Sequence, residues 1–207
     1  MALVTGPLLS LEASGQVAGS IVFSKWKGRP YVRQLVRPSN PKSAGQVSTR
    51  AMFRFLASAW ASMTTAQQAT WESLAAADTV SPFNAYMAWN MRRWTQGEAP
   101  EVEPNFSGSI INPVMGTLTA AGGVREATLE QAVTTPNDIW GIQINRDITT
   151  GFTPSKSNTI AIVEYSVDPI TWVDSPLAPD TYYYDVRAFT IAGNFRSYVG
   201  EQSAVVT

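Results

Sequence analysis

Few side chains in this sequence could do covalent chemistry. It contains no cysteine and no histidine, which removes thiol catalysis, disulfides, zinc-thiolate sites, the commonest general base and the commonest metal ligand. Asp168, Asp174, Asp180 and Asp185 cluster in sequence near expected strand ends. A carboxylate pair among them would suit glycoside hydrolysis or a calcium site. No EF-hand spacing supports the second, and turn carboxylates are ordinarily solvated. No P-loop, dinucleotide-binding or nucleophile-elbow pattern occurs. The expectation is a chain without catalytic residues, cofactor or metal. What remains is recognition chemistry, concentrated in Gly19–Pro41 (GSIVFSKWKGRPYVRQLVRPSNP), where Phe23, Lys25, Trp26, Lys27, Arg29, Tyr31, Arg33 and Arg37 interleave cations with aromatic rings. Such a set can pair with acidic protein groups, or stack on bases while its cations follow phosphates. We take these eight residues as the candidate partner-binding set, with a protein partner expected ahead of nucleic acid.

The element that must position them is a β-hairpin. Ile21–Trp26 reads as a first strand, Lys27, Gly28 and Arg29 as the turn, and Tyr31 to Val36 as the return, stopping at Pro38. Simple alternation puts Lys25, Lys27 and Arg29 on the face that holds Phe23, with Trp26 opposed. A two-stranded hairpin is marginally stable alone and its edges recruit other chains, so a partner is expected: helices, a neighbouring subunit or both. Residues 1–18 read as an arm.

Three helices follow. The first, Ala44–Met63, places Val47, Phe53, Leu56, Trp60 and Met63 on one face. Thr64 and Gln67 form a capping box opening a second helix to Ala77, with Trp71, Leu74 and Ala75 as its stripe. Ser81-Pro82 starts the third, to about Thr95, with Phe83, Tyr86, Met87, Asn90 and Trp94 inward. Trp60, Trp71, Trp89 and Trp94 are expected to form a small core covering one hairpin face.

Gly97–Pro104 reads as a Pro-containing linker, giving an arm at 1–18, a hairpin-plus-helix anchoring module at 19–97, a linker at 98–109 and a second domain at 110–207. Charge divides there too. Ten bases against four acids up to residue 100 leave +6, so the remainder carries −7 of the net −1. Beyond the linker the period is two. Strands are expected at Val114–Leu118, Val124–Gln131, Ile139–Asn145, Thr159–Glu164, Thr171–Val173, Tyr182–Phe189 and Tyr198–Val206, which indicates an all-β sandwich. The fold class is therefore α+β and multi-domain. With 207 residues, 44% hydrophobic and 15% charged, the chain can fill a core but is charge-poor for a free surface, as for a component buried in an assembly. No apolar run reaches transmembrane length, and MALVTGPLLSLEASGQ lacks the charged start of a signal peptide.

Two resemblances add to this reading. Leu177-Ala-Pro-Asp-Thr-Tyr182-Tyr-Tyr184-Asp-Val186-Arg-Ala188, followed by Ala192-Gly193-Asn194, resembles the penultimate strand and following turn of a fibronectin type III or Ig-like domain. It implies a tyrosine corner at Tyr182. Asp180 departs from the glycine frequent there, and no RGD-type loop is present. Gly19–Arg33, Asn40-Pro41, Gln46, Arg50, Phe53 and then Thr64, Gln67 and Trp71 are similar to small structural proteins of tailed bacteriophages and prophages, and to a Bacteroidota family of unknown function. The resemblance implies a non-enzymatic virion component made in the host cytoplasm. Capsid decoration is the first expectation; a neck, tail or fibre-associated place is the alternative. The expected partners are other virion proteins and further copies of itself, with weak host-surface glycan contact, nucleic acid ranked behind them and no membrane. A nucleic-acid-binding module and a carbohydrate-binding sandwich of a secreted protein are the competing readings.

Overall fold

A computed structural model describes residues 15–17, 19–37, 39–196 and 200–207, the side chain of Val17 excepted. The leucine-rich arm expected at 1–18 lies mostly outside the described residues, as do Pro38 and the start of the strand expected at Tyr198. The chain forms two compact units, residues 1–41 and 42–207.

The first unit is a three-stranded antiparallel meander of β1 (Gly15–Val17), β2 (Ile21–Trp26) and β3 (Arg29–Gln34). Its hairpin turn is tighter than expected. Only Lys27 and Gly28 lie between the strands, both at positive φ (48° and 80°), and Trp26 pairs with Arg29. Positive φ at both central residues is the signature of a type I′ turn, whose twist matches that of paired strands. The return strand ends at Gln34, so Leu35 and Val36 lie beyond it.

The second unit contains four helices and a β-sandwich. The helices are α1 (Ala44–Ser62), α2 (Thr65–Ala69), α3 (Glu72–Asp78) and α4 (Pro82–Gln96). The expected second helix is thus broken in two at Thr70 and Trp71. There the backbone N–H groups of Thr70 and Trp71 reach back only three residues, to Gln67 and Gln68, a 3₁₀-like tightening. The capping box forms: Gln67 N donates to Thr64 Oγ1 (3.3 Å) and Thr64 N donates to Gln67 Oε1 (2.9 Å). Ser81 caps α4 through Asn84 N, with Pro82 at the first position, and Gly97 closes it at φ 86°.

Strands β4 (Val114–Gly122), β5 (Ala127–Thr135) and β8 (Ile170–Asp174) form one sheet in the order β4-β5-β8. Strands β6 (Ile139–Asp147), β7 (Thr159–Glu164), β9 (Asp180–Thr190) and β10 (Phe195–Arg196) form the other, in the order β10-β9-β6-β7, with β11 (Gln202–Val206) also paired to β9. This division is that of a fibronectin type III or Ig-like sandwich. Its core is made by alternating residues from both sheets, among them Leu129, Ile142, Ile144, Ile170, Tyr184, Val186 and Ala204. The tyrosine corner is present: the buried Tyr182 donates its hydroxyl to Ala178 O at 3.1 Å.

The expected division at 98–109 is corrected by the packing. The apolar faces of the helices close over the outer face of the larger sheet, in one core shared by Met52, Phe55, Leu56, Trp71, Tyr86 and Trp94 with Trp140 and Phe189. Phe55 meets Trp140 and Phe189 edge-on, with centroids 5.0 and 5.2 Å away. A Cβ on Gly141 would lie 2.8 Å from Val163 O and 3.0 Å from the Phe55 ring, so glycine is what lets α1 approach the sheet. On α1 the buried face is Ser48, Met52, Phe55, Leu56 and Ala59, while Phe53 is exposed. The small residues Ser48 and Ala59 permit the close approach, and Ser48 Oγ accepts from Trp94 Nε1 at 3.2 Å.

The Pro-containing stretch is itself part of this seam. Ala99, Glu101 and Val102 are buried. Glu101 bridges to Ala192, and Val102 N donates to Ile191 O at 3.0 Å. From the helical side Trp71 Nε1 donates to Val102 O (3.0 Å), Trp89 Nε1 to Glu101 Oε2 (3.1 Å), and Asn90 both donates to Glu101 O and accepts from its N–H. Arg93 pairs with Glu98 and Glu101 and donates to Ala99 O and Gly193 O. Satisfying these buried polar groups turns a composition typical of a linker into a seam.

Candidate functional site

Residues directly opposite in an antiparallel pair share a face, and the face alternates along each strand. The register pairs Trp26 with Arg29, Ser24 with Tyr31 and Val22 with Arg33. Trp26, Arg29, Tyr31 and Arg33 therefore lie on one face. Phe23 pairs with Val32 and Lys25 with Pro30 on the other. The expected face assignment is corrected by the two-residue turn. It makes the flanking residues Trp26 and Arg29 cross-strand partners, where a three-residue turn would have separated them.

Trp26 is 66% exposed and Tyr31 40%, whereas Phe23 is 8% exposed. With Arg29, the two exposed rings line an open concavity of about 390 Å³. Lys27, at the turn, holds its Nζ 4.9 Å from the centre of the Trp26 ring, a cation–π contact. Arg37 lies past the strand, with its guanidinium beside Gly19. Of the eight sequence candidates, the fold thus gathers Trp26, Lys27, Arg29, Tyr31 and Arg33 around one face. Phe23 and Lys25 stand on the other, and Arg37 is off the sheet. The gathered face offers flat rings for stacking and guanidinium forks for carboxylate or phosphate.

The four aspartates do not converge. Asp168 accepts from Val133 N at 2.8 Å, and Asp180 from Thr181 N at 2.7 Å. Asp174 pairs with Arg146 (2.5 Å) and accepts from Tyr184 Oη (3.0 Å), joining β8 of one sheet to β6 and β9 of the other. No group of three or more acidic, His or Cys side chains among the described residues is placed to hold a metal ion.

Asp185 differs from the other three. It sits on the outer face of β9, where burial pushes its carboxyl up to about 7, with Glu201 adding to the shift and Arg187 opposing it. A raised folded-state value means the unfolded carboxyl ionises first. This group therefore costs stability progressively as the pH rises from the ordinary carboxylate range through about 7. Asp185, Arg187, Arg196 and Glu201, with Phe152, Pro154 and Phe195, line a cavity of about 490 Å³. Sequence reasoning weighed Asp185 only with its sequence neighbours. Strand alternation alone could have put Asp185 and Arg187 on one face, but the β6–β7 loop and β10 complete the wall.

The likenesses to solved structures concern about half of the chain. The β-1,2-glucanase of Parabacteroides distasonis is 21% identical over 48% of this chain and 13% of its own, with a TM-score of 0.37. An Fn3-like protein from Clostridium thermocellum is 20% identical over 49% of this chain and 96% of its own, at 0.36. The chicken CNTN1 FN1–FN3 domains are 17% identical over 47% of this chain and 33% of theirs, at 0.37. This chain thus spans a small part of the glucanase's length. No curated protein matches the chain. The family match, by contrast, runs from the meander through the helices and into β6. The chain belongs to the DUF6266 family, a family of unknown function, whose model matches residues 13–146.

Proposed function

We propose that this protein is a non-enzymatic structural component of a tailed-phage virion, held to its neighbours by the meander of residues 15–34. The observation that carries this reading is the poverty of that sheet's interior. Among the described residues of the first unit Phe23 is the one buried large hydrophobic, while Ile21, Trp26, Tyr31, Val32 and, just past the sheet, Val36 are exposed. A unit of about 40 residues with so small a core ordinarily needs a partner, and exposed apolar surface rimmed by charge marks an interaction site. The sequence resemblance supplies the identity of the partners: other virion proteins and further copies of this chain. Capsid decoration is the first assignment and a neck, tail or fibre-associated place the second. The unit of residues 42–207 serves as the accessory body, and weak host-surface glycan contact is a role we assign to it.

A second reading, a nucleic-acid-binding module, is favoured by one specific observation: Arg29 and Arg33 share a face with Trp26 and Tyr31, the arrangement in which bases stack while cations follow the backbone. The two readings separate on purified particles. Under the first, the chain co-purifies with intact virions and stays with them through high salt and nuclease. Finding it in infected cells but never in particles overturns that reading.

A further inference from the structure

The outer face of the β10-β9-β6-β7 sheet is apolar at one end, where α1 covers Gly141 and Phe189, and polar at the other. At the polar end Gln143, Asn145 and Thr159 bond to one another: Gln143 Nε2 donates to Asn145 Oδ1 and Thr159 Oγ1, each at 2.7 Å, while Gln143 Oε1 is left without a partner. Asp185 does not join them. It is 1% exposed, yet its Oδ1 has no hydrogen-bond partner, and it opens on the 490 Å³ cavity. Arg196 lines the same cavity, and its Nε is likewise buried without a partner. Native proteins leave few such groups unsatisfied, because each costs its desolvation without return.

The other charged groups there are engaged in building the walls. Glu201 accepts from Thr150 Oγ1 (2.7 Å) and Gly151 N (2.8 Å). Arg187 donates to Pro154 O at 3.1 Å and lies over the Phe195 ring at 4.4 Å. The lining atoms buried without a partner are one acceptor, Asp185 Oδ1, and one donor, Arg196 Nε, between the apolar walls of Phe152 and Phe195. Two carboxylates and two guanidiniums balance, so the cavity favours neither a cation nor a phosphate. An ammonium would leave the donor Arg196 Nε unanswered, and a carboxylate would leave the acceptor Asp185 Oδ1 unanswered. A pair of hydroxyls on adjacent ring carbons, each both donor and acceptor, matches one of each. A cavity of this size lies in the range of small-molecule sites.

We propose that this cavity is a saccharide-binding site, with Asp185 accepting from one hydroxyl and Arg196 donating to its neighbour on a single sugar ring. The raised carboxyl of Asp185 accords with a group that waits for a neutral partner. The inference deepens the glycan contact assigned above to residues 42–207, but it is argued from the cavity alone and can fail while the virion assignment holds.

The test is an NMR titration of the isotope-labelled full chain with D-glucose, D-galactose, D-mannose and N-acetylglucosamine, each to about 50 mM, which reaches millimolar affinities. Glycylglycine and inorganic phosphate are run in parallel. At least one sugar should give saturable shifts at Gly151, Thr153, Arg187 and Arg196. Asp185→Leu, which removes the acceptor, and Arg196→Met, which removes the donor, should each weaken binding about tenfold or more. Either variant suffices if the other does not fold, and Asp180→Asn should bind as the parent does. The proposal is overturned if no sugar saturates these signals, if both variants bind as tightly as the parent, or if glycylglycine or phosphate saturates the site in place of the sugars.

Discussion

Replacing Trp71 by alanine should destabilise the helices and the sandwich together. Trp71 has no exposed surface, its ring centroid is 5.2 Å from Tyr86 and 6.5 Å from Trp89, and its Nε1 donates to Val102 O. Truncation removes the ring contacts and strands a carbonyl in the seam. A buried tryptophan cut to alanine costs about 3–5 kcal/mol, which for a unit of this size lowers Tm by roughly 6–20 °C. Circular dichroism separates the two reporters. The far-ultraviolet signal is weighted to the helices, and the near-ultraviolet signal includes Tyr182 and Tyr184 in the sandwich. Both midpoints should fall by the same amount. A fall in the helical signal with the tyrosine signal unmoved would restore a boundary near residue 100.

The second large effect concerns the meander. Substituting Trp26→Ala, Arg29→Glu and Arg33→Glu removes one exposed ring and reverses two charges on the face they share. Like charges set across an interface cost several kcal/mol, on the order of a thousandfold in affinity, so incorporation into particles should be lost. Folding of residues 42–207 should persist, because exposed charges contribute little to stability and that unit holds its own core. Reversing Lys25 alone, on the opposite face, should matter far less. If the wild type instead binds unrelated oligonucleotides with micromolar affinity that falls steeply with salt, and the triple variant still enters particles, the face reads nucleic acid.

The comparison of sequence with structure separates what is local from what is not. The hairpin itself, the Thr64–Gln67 capping box, the Ser81-Pro82 start and the tyrosine corner at Tyr182 depend on residues within a few positions of one another, and all were legible, although the hairpin's two-residue type I′ turn was not. The face carrying Trp26, Arg29, Tyr31 and Arg33 was misassigned because one residue more or less in a turn inverts the alternation of the return strand. The expected linker failed for a different reason. Gly97–Pro104 is polar and Pro-containing, and nothing local reveals that Asn90, Arg93 and Trp71 satisfy its backbone. On α1, an apolarity count favoured Val47 and Phe53, but close packing chose Ser48 and Ala59. The Asp185 cavity needed residues from β9, β10 and the loops before β7 and β11, a set that only tertiary structure assembles. Thr64, Gln67 and Trp71, which carried part of the phage resemblance, prove to be a cap and a core residue. They therefore speak to a shared fold and not to a shared site.

The most direct measurement is cross-linking mass spectrometry on purified virions, paired with a cryo-EM map of the same particles. The account predicts that links from Lys25 and Lys27 reach another virion protein or a second copy of this chain, with density for the meander at the contact and the sandwich on the accessible side. Particles that lack the chain, or in which the sandwich makes the contact while Trp26 and Tyr31 face solvent, would contradict it.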